Sequence, residues 1–422
     1  MFSMPIPTQR YFAVINAGSS SYKFSLFAEM DDARLERHTF GEIEGVGRDD
    51  PFFLARDSDR RIVSQHSWGT RMTSQALLEF LVDWIEVHLS PNRLNAVGHR
   101  VVHGGPDFVE PVLLTPDTLE RLRRLTPLTP LHHPRVLGVM DVLTARYPDL
   151  CQIACFDTSF HQTNPYLSRL YGLPGHLTEK GLVRYGFHGL SYEYVIGELQ
   201  QIDPVAARGR TIIAHLGSGA SLCGLIDGKS IASTMGFSTL DGLVMGTRTG
   251  ALDPGVILYL LRYENMSVEE LETMLYKESG LLGVSGISAD MRDLLTTGNP
   301  ASRTALDLFV YRVIRETGSL MAAIGGVDNL VFTAGIGERS PEIRAAICKG
   351  LDWLGIRIDE DANQHGHLSI HAPDSKIPVW IIPTFEELMI ARHGARLSAA
   401  FEAAKRAQAT EPPPAETIAG EQ

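Results

Sequence analysis

The sequence predicts an α/β fold made of two related halves, and three observations carry that reading. Apolar runs of strand length are mixed with longer stretches of helical periodicity, the pattern of sheets covered by helices. The pattern restarts after about residue 160. Two segments, INAGSSSYKFSL from Ile15 and AHLGSGASLCGL from Ala214, each set Gly-Ser after an apolar strand and run on into a second strand. Gly18 then matches Gly217, and Ser19 matches Ser218.

Composition bounds the rest. The chain has 422 residues, 44% hydrophobic and 21% charged, which excludes collagen, coiled coil and bulk disorder and suits two or three domains. Lys plus Arg total 38 against 50 Asp plus Glu, a net charge of -12 that repels nucleic acid and anionic lipid. Cys151, Cys155, Cys223 and Cys348 are too few and scattered for a disulfide framework or zinc knuckle, and read as core thiols in a reducing compartment. The opening MFSMPIPTQR has no basic segment leading into an apolar stretch, and no window approaches the ~20 apolar residues of a membrane span, so cytoplasm is the expectation.

In chain order, Tyr11 to Ile15 and Tyr22 to Phe27 predict two strands joined by a tight turn. Leu77, Leu78, Leu81, Trp84, Ile85 and Leu89 recur at helical spacing within 74–89, and 95–103 returns to a β-branched strand. Helices are expected to follow Thr115 and Pro134, then a buried strand over 152–156. Strands follow at 210–216 and 221–226, the latter pairing with 230–234 across Asp227-Gly228. Helices come next at 253–263, at 267–277 behind the capping box Ser267-x-x-Glu270, and at 301–324. The strand 329–333 feeds the Gly-rich bend AGIGE and a helix from Pro341; a last strand, 378–383, precedes a helix from Glu386 to about Ala407. The Pro-rich, charged tail that follows is expected to be disordered.

Several residues in this frame can carry chemistry. Asn-Ala-Gly-Ser-Ser-Ser followed by Lys23 gathers backbone N–H groups, hydroxyls and a cation in one turn, which suits an anion, while Asn16, Ser19 and Ser21 suit hydrated magnesium. The same segment reads equally as a Ser-rich hairpin turn, and it is no P-loop. His99 and His103 have HxxxH spacing, but a Val-Val strand between them sets them roughly 13 Å apart and argues against a shared zinc. Arg100 and Arg248 lie in Gly-flanked apolar segments, where a guanidinium fork can hold phosphate or carboxylate. Asp157 ends a buried strand and His188 precedes a helix, both common places for active-site groups in α/β sheets. His132, His133 and His161 read equally as satisfied core or cap residues. HLGSGAS and FTAGIGERS add two more Gly-rich bends, and Glu386 and Glu387 either cap the last helix or hold magnesium through water.

NAGSSSYK, GHRVVHGG, PLHHP, FDTSFHQT, RYGFHGLS, HLGSGAS, MGTRTGALDPG, GVSGISADMRDL, AGIGER and PTFEELMIA stand in the order of the signatures of the acetate kinase family. On these motifs the chain, from Tyr11 to about Leu397, resembles that family, part of the sugar kinase, actin and heat-shock chaperone superfamily. The resemblance implies a two-domain, duplicated ribonuclease H-like fold with a cleft between domains. Residues 1–160 would form the N-terminal domain, completed by the helix 393–408, and 161–392 the nucleotide-binding domain, with a tail from 409.

The implied activity is reversible, magnesium-dependent transfer of the ATP γ-phosphoryl group to acetate, with manganese as a substitute ion and a homodimer as the assembly. Carried over by motif, Asn16 and Glu386 match the magnesium positions, and Ser19, Ser21 and Lys23 the first phosphate loop. Arg100 matches the substrate arginine, Asp157 the catalytic aspartate, His188 and Arg248 the transition-state stabilisers, and His132 a further active-site histidine. Nucleotide contacts match His215, Leu216, Gly217, Ser218 and Gly219, then Asp290, Met291 and Arg292, then Gly335, Ile336, Gly337, Glu338 and Arg339. Val102, Leu131, Phe187 and Thr239 would line the acyl pocket.

Departures from the family pattern fall at Leu190, Tyr192, Ser218, Ala251, Arg339 and Phe385, beside the implied catalytic residues, and at Thr239, where the family commonly has Pro. A carboxylate ionised at neutral pH attacks phosphorus without a general base, so Asp157 is expected to position magnesium or water. The alternatives are a propionate or butyrate kinase using the same residues, and a non-catalytic nucleotide-binding protein of the actin and chaperone type.

Overall fold

The structure, a computed structural model, describes residues 9–18, 20–130 and 132–410, with no side-chain description for 404–410. Ser19, Leu131 and the tail from residue 411 therefore lie outside the described residues. The first sheet has eight strands, β1 (Arg10–Ala17), β2 (Ser21–Glu29), β3 (Leu35–Glu44), β4 (Phe52–Asp57), β5 (Ile62–Ser67), β6 (Arg93–Val101), β7 (Val112–Leu113) and β8 (Cys151–Phe156), in the order β5-β4-β3-β2-β1-β6-β8-β7. The second has five, β9 (Arg210–Leu216), β10 (Ala220–Ile226), β11 (Lys229–Ser233), β12 (Asn329–Thr333) and β13 (Val379–Ile381), in the order β11-β10-β9-β12-β13.

The halves superimpose as topology. β1 pairs antiparallel with β2 and parallel with β6, and β6 pairs parallel with β8. β9 likewise pairs antiparallel with β10 and parallel with β12, and β12 parallel with β13. In each half a glycine closes the first hairpin: Gly18 N–H donates to Ser21 O at 2.8 Å, and Gly217 N–H to Gly219 O at 3.1 Å. The Gly18 and Gly217 echo in the sequence is thus the turn of a repeated unit. Central strands are mostly apolar because both faces are covered, and all six residues of β8, Gln152 among them, are buried.

Helices cover both sheets. The helix Ser74–Leu89 begins where the Thr73 hydroxyl accepts from Ala76 N–H, and it buries Leu77, Leu81 and Ile85 on the first sheet. Pro116–Arg124 starts at Thr115 and His133–Arg146 carries Pro134 in its first turn, as their signals predict. The helix Glu386–Thr410 continues past Ala407, and its Ile390 and Ala391 share a core with Phe12, Val14 and Ile153, so it joins the first sheet earlier than residue 393. Among the described residues no helix is long and apolar enough to cross a membrane.

Four details differ from expectation. β3, β4 and β5 extend the first sheet as a meander; β3 and β5 are mixed in polarity, with β5 largely exposed, and the short apolar run Phe52 to Ala55 of β4 lies outside the strands expected from sequence. The segment AGIGER is a short helix, Ala334–Arg339, rather than a bend, entered through Ala334 at φ 64°. The helix behind Ser267 is α-helical only to Thr273 and widens into a π-turn over Met274–Glu278. β6 stops at Val101, so His99 lies in the strand and His103 beyond it; His99 Nε2 bonds Gln152, and His103 Nδ1 accepts from Gly105 N–H.

Candidate active site

The carboxyl ends of the parallel strands from both sheets meet at one cavity of about 500 Å³, the position at which open α/β sheets bind ligands. β1 brings Asn16 and Gly18, β6 brings Arg100 and Val102, and β8 brings Asp157. From the second sheet β9 brings His215 and Gly217 to Gly219, and β12 brings Gly335. Glu386 enters at the start of the helix that follows β13, while His132, His188, Thr239 and Arg248 complete the wall from loops and helix starts.

On the side of the first sheet Arg100 binds two carboxylates. Its Nε and Nη2 donate to Asp157 Oδ1 and Oδ2 at 3.0 and 2.9 Å, and its Nη1 lies 2.8 Å from Glu386 Oε2. The second hydrogens on Nη1 and Nη2 remain for a ligand. Burial opposes the charge on Arg100, but Asp157 and Glu386 outweigh it and raise the guanidinium pKa. Burial, with Asp157 and Glu387 nearby, pushes the Glu386 carboxyl up to about 7 despite Arg100. The backbone holds Asp157 in place: its N–H donates to Val101 O at 3.0 Å, and its carbonyl accepts from Gly189 N–H at 2.8 Å.

That last bond places His188. A Cβ on residue 189 would stand 2.3 Å from Asp157 O, so only glycine fits there, and His188 takes φ 58° to turn the chain into the helix Gly189–Ile202. Its ring stacks on His215 with centroids 4.0 Å apart and planes at 15°. Nδ1 of His188 is 2.8 Å from Ser221 Oγ, and Nδ1 of His215 is 2.8 Å from Ser191 Oγ. Burial drives both imidazoles toward the neutral form. It lowers His215 to about 3 with help from Arg100, and lowers His188 well below the ordinary range with help from His215, Arg100 and Arg248. His132, on the cavity wall, is also lowered by burial and by Arg248.

Arg248 differs from Arg100. Its Nη1 donates to the carbonyl of Thr239 at 2.9 Å, and among the described residues no carboxylate lies within ion-pair distance of it. Burial lowers its pKa, yet a guanidinium stays charged at any neutral pH. A half-buried cation without a carboxylate partner, facing a polar cavity, has the chemistry to hold an anion.

The cavity therefore gathers Asn16, Arg100, Val102, His132, Asp157, His188, His215, Gly217, Ser218, Gly219, Thr239, Arg248, Gly335 and Glu386 of the residues singled out in the sequence. Others stand apart from its lining. Lys23 is largely exposed on β2 and lies 3.9 Å from Glu42, and Ser21 starts the same strand. Phe187 is fully buried and packs its ring edge-on to His103, and it is not on the cavity lining, whereas Val136 is. Asp290 caps the helix Met291–Thr296 and grips Arg292 through both carboxylate oxygens, while Met291 is buried. Leu216, Ile336 and Gly337 pack inward, Arg339 is exposed, and Glu338 accepts from Thr384 N–H at 3.0 Å. Ser221 was not singled out; its register opposite His215 in the β9–β10 pair is the signal that places it beside the histidines.

Two sheets of one repeated topology, closing on a cavity with a cluster of paired charges on one side and an unpaired arginine on the other, define a two-lobed phosphotransferase. Residues 11–392 match the model of the acetokinase family, and the chain belongs to that family. It is 49% identical over 390 residues to an acetate kinase of Rhodopseudomonas palustris, covering 91% of this chain and 98% of that one. An acetate kinase of Rickettsia felis is 45% identical over 384 residues, covering 90% and 97%. Among solved structures, a propionate kinase from Francisella tularensis superimposes with a TM-score of 0.85 at 34% identity, covering 92% of this chain and 99% of that one. Porphyromonas gingivalis acetate kinase gives 0.83 at 33% over the same shares. The chain is accordingly an ATP-using kinase whose phosphoryl acceptor is a carboxylate, and a purely binding role of the actin type is not favoured.

Proposed function

We propose that the cavity carries direct in-line transfer of the ATP γ-phosphoryl group to acetate, giving acetyl phosphate and ADP, and the reverse. The observation that carries this is Arg248, a half-buried guanidinium without a carboxylate partner among the described residues, sharing one cavity with the Arg100, Asp157 and Glu386 cluster. Phosphoryl transfer spreads charge over the equatorial oxygens and asks for positioned cations and N–H donors. Arg248 supplies the free charge and His188 a donor. Arg100 fixes Asp157 and Glu386 and offers its remaining hydrogens to the carboxylate. The acceptor is already an anion, so no residue removes a proton from it.

Asn16, Asp157 and Glu386 are oxygen donors on the lining of this cavity, and burial, with Asp157 and Glu387 nearby, raises the proton affinity of Glu386. Such a set suits a hydrated magnesium ion, or manganese in its place, which would neutralise charge on the nucleotide phosphates. The N–H groups of Gly18 and Gly217 are spent on closing their own turns, so those of Ser218 and Gly219, on the cavity lining, would serve the phosphates.

Val102, Val136 and Thr239 bound the acyl side. Thr239 stands where the family commonly has Pro, and the propionate reading rests on it: a more yielding wall would admit one further methylene, a discrimination of roughly 1 to 3 kcal/mol. Acyl-hydroxamate formation with purified protein, ATP and a panel of acetate, propionate and butyrate tests both readings. Acetate turnover abolished by magnesium omission is expected, with propionate next; no product from any of the three acids would refute the proposal.

The lobes of this reading are residues 1–160 with the C-terminal helix, and the remainder to about 385. The protein is proposed to work in the cytoplasm as a homodimer. The helix Pro254–Tyr263 supports the dimer, since it buries none of its residues and exposes Val256, Tyr259 and Tyr263 along one face, with Leu258 exposed beside it.

A further inference from the structure

We infer that Tyr192 and Ser221 are positioning residues that lock His188 into the tautomer with its proton on Nε2, so that the ring meets the transferring phosphoryl group as a neutral hydrogen-bond donor. The consequence for catalysis rests on the proposed phosphoryl transfer; the tautomer does not.

Ser221 Oγ lies 2.8 Å from His188 Nδ1 and 2.5 Å from the Tyr192 hydroxyl. Tyr192 and Ser221 are both fully buried, and the phenol ring is enclosed by the rings of Phe160, His161 and His215. Among the described residues, Ser221 Oγ is the hydrogen-bond partner of the phenol oxygen. The chain of contacts can run in two directions. If Nδ1–H donates to Ser221, either Ser221 donates to Tyr192 and the phenol hydrogen has no acceptor, or Tyr192 also donates to Ser221 and the serine hydrogen has none among the described residues; a buried unsatisfied donor costs about 1 to 3 kcal/mol. If Tyr192 donates to Ser221 and Ser221 donates to Nδ1, every hydrogen is used. The second order leaves Nδ1 as an acceptor and puts the ring proton on Nε2.

Nε2 faces the cavity. A Cβ built on Gly219 would sit 3.4 Å from Nε2 and 3.5 Å from Arg248 Nη2, so the two nitrogens flank the same glycine of the β9–β10 turn. Stacking on His215 fixes the ring plane. The charged and titratable groups around it, Arg100, Arg248, His215 and His161, together with burial, all oppose a second proton. His188 therefore donates through Nε2 without carrying charge, and Arg248 beside it carries the charge.

The placement follows from the sequence. Tyr192 lies one helical turn after His188 in the helix Gly189–Ile202, and Ser221 faces His215 across the β9–β10 pair. The relay thus ties a helix start to a strand of the second sheet.

The test is ¹⁵N NMR of the full chain with labelled histidine, the His188 signal assigned by its loss in His188→Gln. Between pH 6 and 8 the expected spectrum has Nε2 protonated and Nδ1 bare in the wild type. Ser221→Ala and Tyr192→Phe should shift His188 toward a tautomer mixture and lower kcat about three- to tenfold, the worth of one hydrogen bond, with the KM for ATP unchanged. Ser221→Thr, which keeps the hydroxyl, should restore both. A wild-type His188 protonated on Nδ1, or doubly protonated, would overturn the inference, as would variants with an unaltered tautomer or unaltered kcat. Failure of the wild type to make any acyl phosphate would sink the functional reading instead, and the spectrum would still decide the relay.

Discussion

Arg100 on β6 holds Asp157, just past the end of the neighbouring β8, through two hydrogen bonds of 3.0 and 2.9 Å, and the same guanidinium reaches Glu386 at 2.8 Å. One cation is thus shared by two carboxylates from distant parts of the chain. Arg100→Ala would leave both uncompensated, and losing one partner of a buried pair costs about 3 to 5 kcal/mol. The urea unfolding midpoint of Arg100→Ala should fall well below wild type and recover in part in Arg100→Ala/Asp157→Asn. An unchanged midpoint in the single variant would show that the cluster does not stabilise the fold.

Asp157 accepts from Arg100 in the structure, and the incoming carboxylate has no proton to give up. Asp157→Asn should therefore lower kcat and raise the magnesium concentration needed for half-maximal rate together. Titration of activity with magnesium separates this from a general-base role, in which magnesium dependence would stay normal while a titrating group vanished from the pH–rate profile.

Burial holds His99, His103 and His161 at about 4, and His215 at about 3, against an ordinary 6.5. These groups take up protons first in the unfolded chain. Their contribution to stability is full above pH 6.5 and is lost as pH falls toward 4, each at up to ~1.4 kcal/mol per pH unit. Glu386 acts in the opposite sense between about 7 and its ordinary 4.5, because the folded chain protonates first. Four groups against one leave a net loss, so the urea midpoint should drop from pH 7 to pH 5. A midpoint that holds or rises over that range would contradict the buried neutral histidines.

The helix Pro254–Tyr263 is exposed and carries apolar side chains at Val256, Leu258, Tyr259 and Tyr263. If a second copy covers it, Leu258→Glu should convert a dimer to monomers in sedimentation velocity at micromolar concentration. A wild type that sediments as a monomer would remove the dimer from the account.

Much of this was legible in the sequence because the site sits where strands end. Apolar runs located β1, β6, β8, β9 and β12, and the residue after each run is a site residue or its neighbour, as Asp157 follows Phe156 and Gly217 follows Leu216. The motifs also brought Arg100 and Arg248, far apart in the chain, to one cavity. What sequence missed is mostly set by side-chain direction. Lys23 belongs to a phosphate-like turn by spacing, yet pairs with Glu42 on the next strand of a meander that polar residues concealed. Phe187 is next to His188 in sequence but turns into the core against His103. The pairing of Arg100 with two carboxylates and the relay from Tyr192 through Ser221 depend on contacts across elements, which periodicity does not encode.

The most direct test of the phosphoryl-transfer site is the rate of acyl-hydroxamate formation by Arg248→Ala, with its unfolding midpoint measured alongside. Arg248 has no carboxylate partner among the described residues, so its removal should spare the fold. It should lower kcat about 10²- to 10³-fold, the size expected for one group that stabilises a developing anion. Turnover within a few-fold of wild type would contradict the account.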